Sequence, residues 1–474
     1  MIANIYEGKI LFVMVLLMQE LQALFKPRSI AVIGVSSNPK KIGYEIFKNI
    51  ISSGYEGKVY PVNLEGKIVL GFKSFTSISH IPEEIDLAII SIPAAFVIDV
   101  VEECGKKGVK ALIVISSGFK EIGNIELEER LLSITKKYGM RMLGPNVFGL
   151  YYAPSKLNAT FGPQKIHPGK IAFITQSGAL GIALMEWATM RKIGLSAVIS
   201  MGNKADIDEA DVLDYISHDE DTKAVIIYME GVRDGRKLMK SLSKVKKPVV
   251  IIKSGRSEVG AAAASSHTGS LAGSDIVYSA AFKQSGALRA DDLLQAFNWA
   301  KLMVMQPPPK SRECVILTNG GGIGVLAADA CEKEGLKLSI IPEDLQNELK
   351  KIMPIFGSSK NPIDLTGQAG SNEYYNSLRL LIKDDRIDSI ILLYCQTAIT
   401  DPLEISNSIL EAYNLAPNKP ILVCFLGGEK CEEAMRRLEE ASIPTYEMPE
   451  HAVSSLAAYC NWKANWKANP TISS

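Results

Sequence analysis

The sequence predicts an α/β protein built from successive parallel sheets, and three observations carry that reading. Short β-branched runs alternate with helical stretches through the first three hundred residues, which is the rhythm of βαβ units. The runs are apolar throughout and lack alternation, as strands covered on both faces by helices require. Two breaks divide the rhythm into blocks: the stretch Gly144 to Gly169, rich in Gly, Pro, Asn and Ser, and the cluster Pro307-Pro308-Pro309.

In the first block the expected strands are Ser29–Val35, Lys58–Asn63, Leu87–Pro93, Lys110–Ser116 and Met140–Leu143. The second block has Lys170–Ser177, Leu195–Gly202, Ala224–Glu230 and Pro248–Gly255. The connection from Arg256 to Ser274 follows. It is almost entirely Ala, Ser, Gly and Thr around His267, offers no periodic apolar face, and reads as a mobile surface loop. The third block opens with Glu313–Asn319 and continues with buried runs near Ser389–Leu393 and Pro420–Cys424.

With 474 residues there is room for about three domains at roughly 150 residues each. Lysine plus arginine equals aspartate plus glutamate at 52 each, so no global field draws a polyanion, and nucleic acid is disfavoured as a partner. The seven cysteines are scattered, contain no C-x-x-C pair and read as reduced packing residues of a cytoplasmic protein. The apolar run Ile10–Met18 is too short to span a bilayer and lacks a small-residue cleavage site after it. The C-terminal repeat Asn461-Trp462-Lys463-Ala464 and Asn465-Trp466-Lys467-Ala468 suggests no function of its own.

Three motifs carry chemistry. Gly34-Val35-Ser36-Ser37-Asn38-Pro39-Lys40-Lys41-Ile42-Gly43 follows the first strand and opens a helix. There small residues, helix amides and the charge of Lys41 suit a phosphate, though an ordinary strand-to-helix turn fits equally well. A dinucleotide would want an acid at the end of strand two; Asn63 stands there, which disfavours NAD and leaves another adenosine phosphate in play. The strand ends Ser91-Ile92-Pro93 and Ser116-Ser117-Gly118-Phe119 belong on the same carboxyl edge. Gln176-Ser177-Gly178 begins a second helix, where Ser177 reads first as an N-cap and second as an anion site. His267, in Ser265-Ser266-His267-Thr268-Gly269-Ser270, is unlike His80, His167, His218 and His451 in having no core-forming neighbours. A supple loop suits a side chain that moves between two stations, and imidazole is nucleophilic near neutral pH. Glu230, at the end of an apolar strand, is the natural carboxylate to orient it, against the plainer reading of an exposed loop acid.

Taken together, Ile33-Gly34-Val35-Ser36-Ser37, Gly144-Pro145-Asn146, Thr175-Gln176-Ser177-Gly178, Tyr228-Met229-Glu230-Gly231 and Ser266-His267-Thr268-Gly269-Ser270-Leu271-Ala272-Gly273 resemble the ADP-forming acyl-CoA (acetate-CoA) ligase α subunit, a relative of the succinyl-CoA synthetase α subunit. The resemblance covers about residues 20 to 455. It implies a Rossmann-like CoA-binding domain over 23–150 and two flavodoxin-like, succinyl-CoA synthetase-like domains over 165–303 and 311–458. Residues 1–22 are then an N-terminal extension and 459–474 a C-terminal tail. It also implies reversible conversion of acyl-CoA, ADP and phosphate to acid, ATP and CoA, through an acyl phosphate and a phosphohistidine at His267, with Glu230 holding the imidazole. Ser177 and Gly178 would cradle the phosphoryl group. Coenzyme A would lie along Gly34, Ser36, Ser37, Lys41, Asn63, Ile92, Pro93, Ser116 and Ser117, with Asn146 near the reacting end.

No Gly-x-x-x-x-Gly-Lys-Ser/Thr loop is visible, and no metal site is expected on this protein. The resemblance places ADP/ATP and Mg²⁺ on a β subunit with an ATP-grasp domain, in an α2β2 heterotetramer to which the His267 loop swings. The sequence departs from the family at Val147, where relatives usually carry Cys, and at Leu64, where Pro often follows the Val-Asn pair. The glycines of Asn319-Gly320-Gly321-Gly322-Ile323-Gly324 resemble an anion loop, but a structural turn or subunit contact fits them as well. Competing readings are an NAD(P)-dependent oxidoreductase, disfavoured by Asn63, and a non-catalytic acyl-CoA sensor, which would need neither His267 nor Glu230.

Overall fold

The computed structural model describes residues 21–262, 274–415 and 418–468. The polypeptide divides into two compact units, Met1–Arg289 and Ala290–Ser474. The first unit holds two sheets. In the first sheet, β1 (Ser29–Ile33), β2 (Lys58–Val62), β5 (Leu87–Ile90), β6 (Ala111–Val114) and β7 (Arg141–Leu143) run parallel in the order β2-β1-β5-β6-β7. A small antiparallel pair, β3 (Ile68–Val69) with β4 (Phe72–Lys73), stands apart from it. The expected strands are present, but four of the five apolar runs extend past the sheet into the loop beyond it. Those overhanging residues are the ones at the carboxyl edge.

The segment Gly144–Gly169, read as a separator, is corrected. It contains β8 (Gly149–Tyr152) and β9 (Leu157–Thr160), an antiparallel hairpin whose two strands are fully buried. The hairpin joins the edge of the second sheet by pairing antiparallel with β11 (Leu195–Ser200). The rest of that sheet is parallel: β10 (Pro168–Thr175), β12 (Ala224–Met229), β13 (Val249–Lys253) and the short β14 (Leu288–Arg289), in the order β14-β13-β12-β10-β11-β8-β9.

The hairpin also receives the helix Ile42–Ser52 of the first block, whose inner face carries Ile46, Phe47, Asn49 and Ile50. Asn49 Nδ2, wholly buried, donates to Thr160 O at 2.9 Å and Gly162 O at 3.0 Å. A buried amide without acceptors would be costly, so these bonds fix how helix and hairpin meet. Phe25 stacks on Tyr215 at 4.2 Å and meets Tyr152 edge-on at 5.3 Å. The two sheets thereby share one apolar core.

The second unit holds a third sheet. Its strands β15 (Glu313–Thr318), β16 (Lys337–Leu338), β18 (Ile390–Cys395), β19 (Ile421–Leu426) and β20 (Thr445–Tyr446) lie parallel in the order β16-β15-β18-β19-β20, with β17 (Ile363–Asp364) beside β15. Counting only parallel strands in sequence order and leaving out β17, all three sheets wind as 2-1-3-4-5. Each therefore has a crevice where the winding reverses, between its first and third strands.

The tail read from residue 459 is instead the end of the helix Pro449–Ala468. Its four-residue repeat brings Trp462 and Trp466 onto one helix face with rings 6.1 Å apart and nearly parallel, and Arg312 Nη1 donates to Asn461 Oδ1 at 2.6 Å. The seven cysteines form no disulfide.

Candidate functional site

At the reversal of the first sheet, between β1 and β5, lies a cleft of about 920 Å³. It brings together Gly34, Ser36, Lys41, Asn63, Ile92, Pro93, Ser116 and Ser117. Ser37 is exposed outside this lining, and Asn146 lines a different cavity. Gly34 holds φ at +93°, and a Cβ on it would stand 2.3 Å from Ser91 O, so the turn leaves no room for a side chain. The loop braces itself: Ser36 Oγ accepts from Asn38 N–H at 3.1 Å, and Asn38 Oδ1 from Lys40 N–H at 2.9 Å. The helix Ile42–Ser52 begins without a side-chain cap, and with the Tyr44 N–H turned to Lys41 O the amides of Ile42 and Gly43 are left for an anion.

Asn63 does more than lack a charge. Its Nδ2 donates to Val35 O at 2.5 Å and its Oδ1 accepts from Glu65 N–H at 2.8 Å, so the side chain braces the loop. Ser116 Oγ likewise ties neighbouring strand ends by donating to Ile92 O at 2.5 Å. Ser77 and Glu103 add a hydrogen-bonded pair to the wall, 2.8 Å apart, that sequence reading did not single out.

The second sheet reverses between β10 and β12, which places Gln176-Ser177-Gly178 beside Glu230. Ser177 is the N-cap of the helix Gly178–Met190, its Oγ accepting from Leu180 N–H at 3.4 Å, as the simpler reading expects. A Cβ on Gly178 would meet nothing within 4 Å, so the helix start faces open space. Gln176 Oε1 accepts from both Glu230 N–H, at 2.5 Å, and Gly231 N–H, at 3.0 Å. One amide thus sets where the Glu230 side chain leaves the strand. Glu230 is 9% exposed, and its carboxylate accepts no hydrogen bond from any described residue.

A cavity of about 610 Å³ opens here, lined by Glu230, Gln176, Asn146, Asn203, Lys204 and Arg233 among others. Lys204 is buried and anchored to Glu209 Oε1 at 2.9 Å and Gly231 O at 2.8 Å. Lys253, at the end of β13 beside Glu230, is 3% exposed. Burial holds its pKa below the ordinary lysine value, against the opposing pull of Asp275 and Glu230. Sequence reading gave Gln176 no role within its motif and missed Asn203, Lys204 and Lys253; the available signal was position, since each ends or closely follows a strand of this sheet.

His267 lies outside the described residues, as does the motif around it. Residues 258–262, read as loop, are helical. The glycine run at the third sheet repeats the architecture of the second. Thr175 Oγ1 accepts from Ser177 N–H and donates to Ser177 O, both at 3.1 Å. Thr318 Oγ1 does the same with Gly320, at 3.0 and 3.1 Å. Asn319 Oδ1 accepts from Cys395 N–H at 2.8 Å, as Gln176 does from Glu230. Among the described residues no group of three or more His, Cys, Asp or Glu could hold a metal ion, and no helix is long and apolar enough to cross a membrane.

Three family models match the sequence: a CoA binding domain over residues 28–153, a succinyl-CoA ligase like flavodoxin domain over 168–303 and a ligase-CoA domain over 314–469. The protein is 53% identical over 457 residues to acetate–CoA ligase (ADP-forming) I subunit alpha of Pyrococcus furiosus, covering 94% of its own length and 98% of that relative. It is 41% identical to acetate–CoA ligase (ADP-forming) I of Archaeoglobus fulgidus, covering 92% of its own length and 63% of that relative. Among solved structures, an acetyl-coenzyme A synthetase 1 of Ca. Korarchaeum cryptofilum, in complex with phosphate and ADP, superposes with a TM-score of 0.92. That match has 46% identity and covers 94% of this protein and 97% of the other. Similarity of this extent across nearly the whole of both polypeptides places this protein in the family of ADP-forming acetate–CoA ligase α subunits.

Proposed function

We infer that the protein is the α subunit of an enzyme that converts acyl-CoA, with acetyl-CoA as the reference substrate, plus ADP and phosphate to the free acid, ATP and coenzyme A, reversibly. Coenzyme A occupies the first cleft, with its phosphates toward the uncapped helix Ile42–Ser52 and Lys41. A phosphate oxygen attacks the thioester carbonyl, and the carbon–sulfur bond breaks to release the coenzyme A thiolate. A ring nitrogen of His267 then attacks phosphorus in the acyl phosphate and the carboxylate leaves. Finally an oxygen of the ADP β-phosphate takes the phosphoryl group from the histidine.

Glu230 accepts a hydrogen bond from the other ring nitrogen, which fixes the tautomer and stabilises the charged ring. The helix start offers the Gly178 amide and the Ser177 hydroxyl to the phosphoryl oxygens, the Ser177 N–H being held by Thr175. The observation that carries this reading is Glu230 itself, buried at the sheet reversal and uncommitted among described residues, with its backbone locked by Gln176.

We place ADP and Mg²⁺ on a separate β subunit with an ATP-grasp domain, in an α2β2 assembly in the cytoplasm. Support comes from the Pyrococcus furiosus relative, which is named a subunit alpha and is matched over 98% of its length, beside the longer Archaeoglobus fulgidus relative, of which this protein matches 63%. The oxidoreductase reading loses further ground because Asn63 is committed to Val35 and Glu65.

The test is to incubate the full-length protein and its β partner with acetyl-CoA and radiolabelled phosphate. Acid-labile label is expected on the α subunit and none on His267→Ala; label surviving that substitution would sink the mechanism.

A further inference from the structure

The segment after β11 is stitched to the end of β7. Asn203 N–H donates to Pro145 O at 2.9 Å, Ala205 N–H to Gly144 O at 3.1 Å and Ile207 N–H to Met142 O at 3.3 Å. Gly202, at φ +54°, lies so close that a Cβ would stand 2.3 Å from Pro145 O and 2.5 Å from Asn146 O. From this seam Asn203 reaches out with both ends of its amide. Its Oδ1 accepts from Asn146 Nδ2 at 3.3 Å, while its Nδ2 donates to Glu121 Oε2 at 2.6 Å and Glu128 Oε2 at 2.8 Å.

Glu121 passes the contact on. Its Oε1 accepts from Gly118 N–H at 2.5 Å and its Oε2 from Phe119 N–H at 3.2 Å. Gly118 directly follows Ser116-Ser117, the wall of the first cleft. Burial alone would raise the Glu121 pKa. Hydrogen bonds from Asn203, Gly118 and Phe119 outweigh it and hold the carboxyl below its ordinary value, so the acceptor is charged and the bonds are of the stronger kind.

We propose that Asn203 is a positioning residue that joins the two sites: through Glu121 it fixes the Gly118–Phe119 turn that follows the Ser116-Ser117 wall of the coenzyme A cleft, and through Asn146 the lining of the cavity that holds Glu230. This rests on the reading of the first cleft as the coenzyme A site. The role proposed for Asn203 and Glu121 is to hold other residues in place. Their effect is on registration, so that the thioester brought by one sheet arrives in line with the carboxylate presented by the other. Displacements of about 1 Å between such groups are enough to cost about 10²-fold in rate.

The test titrates coenzyme A calorimetrically into the full-length protein and into its Asn203→Ala and Glu121→Gln variants, records each melting temperature, and measures KM for coenzyme A and for ADP with the β partner. Both variants are expected to bind coenzyme A about tenfold more weakly, with a matching rise in its KM, an unchanged KM for ADP and a melting temperature lowered by no more than about 5 °C. Parent affinity in both variants overturns the proposal. So does a loss of affinity that comes with a larger fall in melting temperature and a raised KM for ADP, because a damaged fold explains that. A parent protein that binds no coenzyme A overturns the cleft reading itself, and the bridge with it.

Discussion

Glu230 and Gln176 show how little a side chain needs in order to become functional. The carboxylate is ordinary; its setting is not, because both backbone amides at its position are held by one glutamine oxygen. The third sheet builds the same frame with Asn319, yet the residue whose amide it holds is Cys395, which has no carboxylate to offer. Burial raises the Cys395 pKa and so favours the protonated thiol. Glu230→Gln is therefore expected to slow histidine phosphorylation by about 10²-fold or more while coenzyme A binding persists. Rapid-quench labelling beside a calorimetric titration separates the two effects. Loss of both together would mean that the substitution had disturbed the fold and not the chemistry.

The repeated element is a strand that ends in a turn and feeds a helix, and at this scale much was legible. Apolar runs located the central strands of all three sheets, because covered parallel strands exclude polar residues. The runs overshot the sheets at their carboxyl ends, where residues such as Gly34, Ser91 and Glu230 line cavities instead of pairing. The hairpin Gly149–Thr160 escaped notice because its strands are only four residues long and sit among Gly, Pro and Asn, which signal linker. The tryptophan repeat near the C-terminus had no meaning until helical geometry put its rings side by side. Asn63 was read for the charge it lacks, whereas its hydrogen bonds show what it holds. The turn at Gly34 gives the sharpest test of an element. Gly34→Ala must accept φ near +93° and a Cβ 2.3 Å from Ser91 O, so it is expected to cost at least about 1–2 kcal/mol in urea unfolding and to weaken coenzyme A binding. An alanine variant with parent stability and affinity would show that the turn can move aside.

Over the whole molecule, the division into 21–289 and 290–468 matters more than the count of sheets. The first unit contains the proposed coenzyme A cleft together with Glu230, and the second has its own core. Calorimetry is expected to resolve two endotherms, since separate cores need not melt together. Coenzyme A at about a hundred times its dissociation constant should stabilise one of them by about 2.7 kcal/mol and leave the other in place. A single transition that moves as one with ligand would show the units to be thermodynamically inseparable.

The seat of Asn49 in the hairpin also bears on how the protein is made. Synthesis proceeds from the N-terminus, so residues 42–52 leave the ribosome well before Thr160, which lies 111 positions after Asn49. Until then the helix has no lid for its oily flank and its asparagine must bond to water. The opening βαβ block is thus finished by its successor, and a nascent polypeptide paused short of residue 160 would carry a sticky, half-built surface of the kind that draws chaperones.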